Sequence, residues 1–276
     1  MNAMRYIIAI LISAMRLSAD SIDVGGRLIE VPPPAGFVRV TSEMTEVKRL
    51  YDQMADPIND TLACYISEDS VPDALSGKIP ELRKYFLIKV HKKLKGHTAS
   101  VAEFAELQDS VESENKKTFD EVKKQLPGLF DEINGNIKKE YGNDIAIGVS
   151  QVVPLDLHHR SENAFSYSMF MNVGVGGGTQ QSVSMVAVTA TFLNTAGRVL
   201  FLYAYGGKDD LDWTRESSEA WQTAILSRNA PPPQKPAKTE FQWGRVTGKA
   251  LVAGIVGGVA GLLGFIFSKK NRRESS

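Results

Sequence analysis

The sequence predicts an α+β fold: a mainly antiparallel sheet of about seven strands with helices packed on it, plus one C-terminal transmembrane helix. Three observations predict it. Strand-like runs occur at 36–41, 61–67 and 85–91 and follow one another from 145 to 205. Apolar residues recur at helical spacing between and after them. The run from Ala250 to Phe267 has 18 residues without a charge or strongly polar group. At about 1.5 Å per residue it reaches roughly 27 Å, close to the hydrocarbon thickness of a bilayer.

Residues 1–19 are expected to be a cleaved signal peptide. Arg5 precedes the apolar run Tyr6–Met15, which is too short to span a bilayer but suits a signal core. Ala19 supplies a small residue before Asp20; Arg16 and Leu17 depart from the usual pattern. An uncleaved anchor is the alternative. Residues 20–229 then form an extracytoplasmic α+β domain. "GFVRVT" (36–41) is its first strand, and Val47, Leu50, Tyr51 and Met54 mark a helix. Strands follow at 61–67 and 85–91. Val101, Phe104, Leu107 and Val111 mark one helical stripe; Phe119, Val122, Leu126, Phe130, Ile133, Ile137 and Tyr141 mark a second. Pro127 and Gly128 should break the second.

After Gly142 the period becomes that of strands: "IAIGVSQVV", "AFSYSMFMNV", "SVSMVAVTATFL" and "RVLFLYAY". "NTAG" (194–197) is a hairpin turn between the last two. "VLFLYAY" is apolar on both faces, which places it centrally in the sheet. Asp210 is expected to cap a closing helix that carries Trp213, Trp221, Ile225 and Leu226. Residues 230–249 are a proline-rich stalk, residues 250–268 the transmembrane helix and residues 269–276 a basic cytoplasmic tail.

Gly254, Gly257, Gly258, Gly261 and Gly264 lie in the span, and small residues recur every four positions along Ala250, Gly254, Gly258 and along Ala253, Gly257, Gly261. Such rows allow close helix packing in lipid, so a homo-oligomer through the glycine face is an expected partner state. Lys269, Lys270, Arg272 and Arg273 follow the span, against Arg245 and Lys249 before it. The excess puts the C-terminus in the cytoplasm.

The element order resembles that of PsbP-like α/β sandwich domains of the photosystem oxygen-evolving type. The likeness is carried by "GFVRVT" and by the closing hairpin into "DDLDWTRESSEAWQTAI", over about residues 30–228. The helical stretch 99–141 and the C-terminal span depart from it. The layout also resembles membrane-anchored bacterial envelope proteins that have no assigned activity, a resemblance that implies none here.

Composition excludes several functions. Lys+Arg and Asp+Glu are equal at 32 each, and no basic cluster is interleaved with aromatics, so no nucleic-acid partner is expected. The single cysteine, Cys64, rules out an internal disulfide and a cysteine-based zinc module, and it sits in an apolar run as a buried thiol would. "VGVGGGTQ" (173–180) lacks the following helix and the lysine of a phosphate loop, and reads as a hairpin tip. "SENK" (113–116) has the serine–lysine spacing of some acyl enzymes without their partner motifs, and no GxSxG elbow occurs. Asp209, Asp210 and Asp212 are explained by the helix they precede.

The strongest chemical candidate is Asp156, His158 and His159 in "PLDLHHRSE" (154–162). Residues two apart in an extended chain point the same way, as a metal pair would, but no third ligand is evident. A polar hairpin between strands accounts for the same residues. No cofactor is expected. The leading expectation is a single-pass envelope protein that presents an interaction domain to an envelope protein partner, held in the lipid bilayer by residues 250–268. The alternative is a membrane-tethered enzyme, a metal-dependent hydrolase, at Asp156, His158 and His159.

Overall fold

The computed structural model describes residues 20–53, 58–113, 131, 134–135, 138–139, 145–177 and 180–235. The signal segment, Met54, the SENK lysine, the whole second helical stripe from Phe119 to Tyr141, residues 236–249 of the stalk, the glycine row and the basic tail lie outside the described residues. Among the described residues no helix is long and apolar enough to cross a membrane.

Nine strands are described. They are β1 (Asp20–Asp23), β2 (Leu28–Val31), β3 (Phe37–Arg39), β4 (Asn59–Ser67), β5 (Tyr85–His91), β6 (Ile145–Arg160), β7 (Ala164–Gly177), β8 (Gln180–Thr195) and β9 (Arg198–Gly207). The helices are α1 (Thr45–Gln53), α2 (Val71–Leu75), α3 (described over 101–113) and α4 (Leu211–Arg228). β1 and β2 form a separate hairpin. The other seven strands form one sheet in the order β3-β4-β5-β9-β8-β7-β6, with every neighbouring pair antiparallel. The seven-stranded antiparallel sheet agrees with the sequence.

β9 lies fourth of seven, and nine of its ten residues are buried. Its neighbours explain its apolar faces. One face packs under α1, α2 and α3 through Val47, Leu50, Ile66, Leu87, Phe104, Phe192, Phe201 and Tyr203. The other packs under the β1–β2 hairpin and α4 through Ile22, Ile29, Tyr65, Phe86, Ile88, Leu202, Trp221 and Ile225. The sheet is thus covered on both sides, and alternate residues of one strand enter different cores. Cys64 is buried in the first core, and burial pushes its thiol well up, as expected of an inert packing residue.

Local chemistry fixes the joints. Ser100 and Glu103 form a reciprocal cap on α3: Glu103 N donates to Ser100 Oγ (3.2 Å) and Ser100 N donates to Glu103 Oε2 (2.8 Å). The β8–β9 turn has Ala196 at φ 49° and Gly197 at φ 74°, the left-handed pair that a two-residue hairpin needs.

Three expectations change. "PLDLHHR" is not a turn: β6 runs through it to Arg160, and the chain reverses at 161–163. Proline is tolerated there because β6 is the edge strand. Asp210 stands at the head of α4 but makes no side-chain cap. Its Oδ2 instead accepts from Gly207 N at 2.9 Å, and its Oδ1 pairs with Lys84 at 2.8 Å. The first stalk residues are docked: Ala196 N donates to Ala230 O (3.0 Å) and Val101 N to Pro233 O (2.9 Å). The chain therefore leaves the domain beside the β8–β9 turn.

Candidate functional site

Besides an open cleft of about 740 Å³ at the stalk end, lined by Ser21, Arg27, Glu30, Arg228 and Asn229, two places gather polar or open surface. The first is a buried polar seam between α4 and the sheet. Ser166 and Ser168 of β7 face Thr191 and Thr189 of β8, at 2.7 and 2.9 Å between hydroxyl oxygens. Thr189 meets Thr214 of α4 at 2.8 Å, and Thr214 donates to Leu211 O at 2.7 Å. Thr214, Ser218 and Gln222 are spaced by four, so they form one buried row on α4.

His158 and His159 end this seam. The Nδ1 edge of His158 lies 3.5 Å from Ser168 Oγ, to which Arg215 Nε donates at 3.2 Å. Gln222 Nε2 lies 2.8 Å from His159 Nε2, and His159 Nδ1 lies 3.8 Å from Glu219 Oε1. Both rings face α4 because register shifts at Pro154/Leu157 and Leu157/His159 interrupt the alternation of β6. Arg160 turns to the other side and pairs with Asp109 (2.5 Å) and Glu112 of α3.

Asp156 is exposed. Among the described residues no three His, Cys, Asp or Glu side chains gather where they could hold a metal ion. The expected ligand trio is therefore not assembled: the histidines are brought together and engaged by α4, and Asp156 supplies no third point. Ser168 is fully buried, so its hydroxyl cannot meet a substrate as a nucleophile. Ser218 Oγ and Gln222 Oε1 are buried without a hydrogen-bond partner among the described residues. This seam fixes the seating of α4 and offers no open reaction centre.

His158 gives the seam a pH dependence. Burial of its inner edge, then the Arg215 charge, then His159 hold its pKa down to about 4, against 6.5 ordinarily. Between those values the unfolded chain binds the proton and the folded chain does not, so acidification favours unfolding. Above 6.5 the effect is absent; below about 4 it is complete. Because the residue is exposed overall, solvent screening reduces the contribution to about 1 kcal/mol or less. The thermal midpoint should fall by a few degrees from pH 7 to pH 4, and His158→Gln should remove that part of the fall. An identical profile in the variant would assign the acid sensitivity to other groups.

The second place is a cleft of about 390 Å³ at the other end of the sheet from the stalk. Its floor includes Tyr85 and Tyr205, stacked at 4.5 Å and 8°. Leu82, Met185 and Val186 add apolar wall, and Glu81, Arg83, Lys208, Asp209 and Asp210 form the rim. The rim is largely self-neutralised: Arg83 pairs with Glu81 at 2.9 Å and Lys84 with Asp210 at 2.8 Å. Lys84 also lies 4.4 Å over the Trp213 ring. Sequence reading missed this cleft, because it arises where β9 stops short of β8. The one available signal was the unequal length of the two apolar runs around "NTAG".

No protein-family model matches the chain, and no curated protein matches it. Among solved structures the chain is similar to the solution structure of cyanobacterial PsbP (CyanoP) from Synechocystis sp. PCC 6803. Identity is 5%, over 74% of this chain and 85% of that one, with a TM-score of 0.25. A superposition that low assigns no residue of either site to a counterpart in that protein.

Proposed function

We propose that the chain is a single-pass envelope protein whose α+β domain is an interaction module, held off a bilayer by the stalk and anchored through residues 250–268. The observation that carries this reading is the uncharged, glycine-rich run Ala250–Phe267 followed by Lys269, Lys270, Arg272 and Arg273. The docking of Ala230 and Pro233 beside the β8–β9 turn supports it, since the described chain then ends at the opposite end of the sheet from the cleft. The rival reading, a tethered metal-dependent hydrolase at Asp156, His158 and His159, draws support from one fact. His158 is neutral at physiological pH and so available as a ligand.

One preparation tests both readings. The full chain, expressed with its first 19 residues, should sediment with membranes and resist carbonate extraction. Protease added outside spheroplasts should digest the domain and leave a short tail fragment. A soluble chain, or a domain shielded from that protease, would overturn the anchored reading. Metal analysis of the same detergent-purified chain should find no stoichiometric metal; a bound metal lost on His158→Ala would establish the rival.

A further inference from the structure

β8 outruns β9 at the end of the sheet remote from the stalk. β9 stops at Gly207, opposite Val186. β8 continues back to Gln180, paired with β7 throughout and without a register shift. Among the described residues no strand pairs with the other side of Gln180–Met185. In an antiparallel ladder alternate residues turn both backbone polar groups to the same side. Half of this segment therefore presents N–H and C=O groups outward.

Free strand edges are normally protected by shortness, bulges, proline or charge. The other two edges of this sheet follow that rule. β3 has three residues. β6 carries three register shifts and Pro154, then Asp156 and Arg160. The projecting part of β8 has none of these devices. No charged residue and no proline occurs anywhere from Ala164 to Gly197. Val183 is 61% exposed and Met185 45% exposed. The open cleft lies in the step where β9 ends, with the Tyr85–Tyr205 stack at its floor.

We propose that the outer edge of Gln180–Met185 docks one uncharged, apolar, extended segment of a partner protein, which adds as a strand where β9 would have continued. The inference rests on the interaction-module reading and names its partner class. The chemistry selects the occupant. Backbone groups give affinity and flanking apolar pockets give specificity in strand addition. Apolar contact is offered on one side by Val183 and Met185 and on the other by Leu82, Val186 and Tyr205. The paired rim offers no net charge to a charged segment. A cleft of about 390 Å³ admits a single strand, not a folded body. A second copy fits poorly. Antiparallel pairing of two β8 edges would point the two stalk ends in opposite directions, which the proposed anchoring of both in one bilayer disfavours.

The probe is a fluorescent acetyl-Thr-Val-Thr-Val-Thr-Val-amide peptide, titrated into the full chain in detergent micelles. Saturable binding is expected, with exchange of the outward-facing, alternate amides of Gln180–Met185 slowed at least about tenfold in the complex. Val183→Lys and Met185→Lys change exposed side chains, so they should leave thermal stability unaltered and weaken binding at least about tenfold. A peptide with proline at its third position should not bind. Four results would each overturn the proposal. One is no binding, and another is binding indifferent to both lysine variants. A third is full protection of the Gln180–Met185 amides before peptide is added. The fourth is a dimer in sedimentation that Val183→Lys dissociates. Because binding is measured in micelles and membrane partition separately, a soluble chain that still binds would overturn the anchor alone.

Discussion

Replacing Trp221 with alanine is expected to destabilise the domain by about 3–5 kcal/mol, the cost of removing a large buried aromatic. Trp221 is 2% exposed. Its ring lies 5.4 Å from Tyr65 and 5.1 Å from Phe86, edge-on to both, so it joins α4 to β4 and β5. Its Nε1 donates to Pro32 O at 2.8 Å, just beyond β2. One side chain thus connects α4, two sheet strands and the exit of the β1–β2 hairpin. Apart from Ile225, the other buried residues of α4, Thr214, Ser218 and Gln222, contribute little apolar area. Urea titration of the full chain should show the loss, together with a collapse of near-ultraviolet dichroism. Trp221→Phe, which keeps a ring but not the hydrogen bond, should recover all but about 1–2 kcal/mol. A loss below about 1 kcal/mol for the alanine variant would mean that α4 is not seated on the sheet as described.

The main sheet was legible because its strands are long and its core is two-sided. "VLFLYAY" is apolar at every position, and only a central strand buries both faces. "NTAG" marked a turn by its glycine and reduced the choice to a hairpin. The β1–β2 hairpin was not legible: each strand has four residues, and its buried half is only Ile22, Val24, Ile29 and Val31. Such short runs carry too few periods to stand out. The seam under α4 escaped for a different reason. Thr214, Ser218 and Gln222 carry no apolar signal in the sequence, and their burial depends on what the sheet sets against them: Thr189 meets Thr214 and His159 meets Gln222. Pairing Asp156 with His158 relied on strict alternation, which the register shifts of β6 break. The edge of β8 that no described strand pairs with depends on where β9 ends, a tertiary fact that strand patterns do not encode.

Arg198→Met should weaken the domain by about 3 kcal/mol and loosen the stalk end without disturbing the far end. Arg198 begins β9 and is 8% exposed. Its Nε donates to Val24 O (2.8 Å), Nη1 to His97 O (2.7 Å) and Thr98 Oγ1 (2.8 Å), and Nη2 to Gly25 O (3.3 Å). Burial and then Arg27 lower its pKa, and nearby Asp23 partly offsets them; the guanidinium stays charged all the same. The planar fork therefore ties three segments at once: the β1–β2 turn, the loop before α3, and β9. Methionine fills similar space but leaves those oxygens without their donors. Lysine keeps the charge but cannot span the three segments, so Arg198→Lys should recover less than half of the loss. Gly25 shares the joint: at φ 61°, a Cβ there would sit 2.0 Å from Lys95 O, so the turn has no freedom to re-form around a different anchor. Exchange of the Asp20–Val31 amides should rise in Arg198→Met, and unchanged exchange would assign the hairpin's attachment to Trp221 alone. Ala196 and Ala230, the contact where the stalk departs, adjoin the same joint. Gln180 lies 16 residues of β8 away from that turn, roughly 50 Å. The hexapeptide should therefore bind Arg198→Met with unaltered affinity under conditions where the variant remains folded, separating the attachment end of the domain from its docking end.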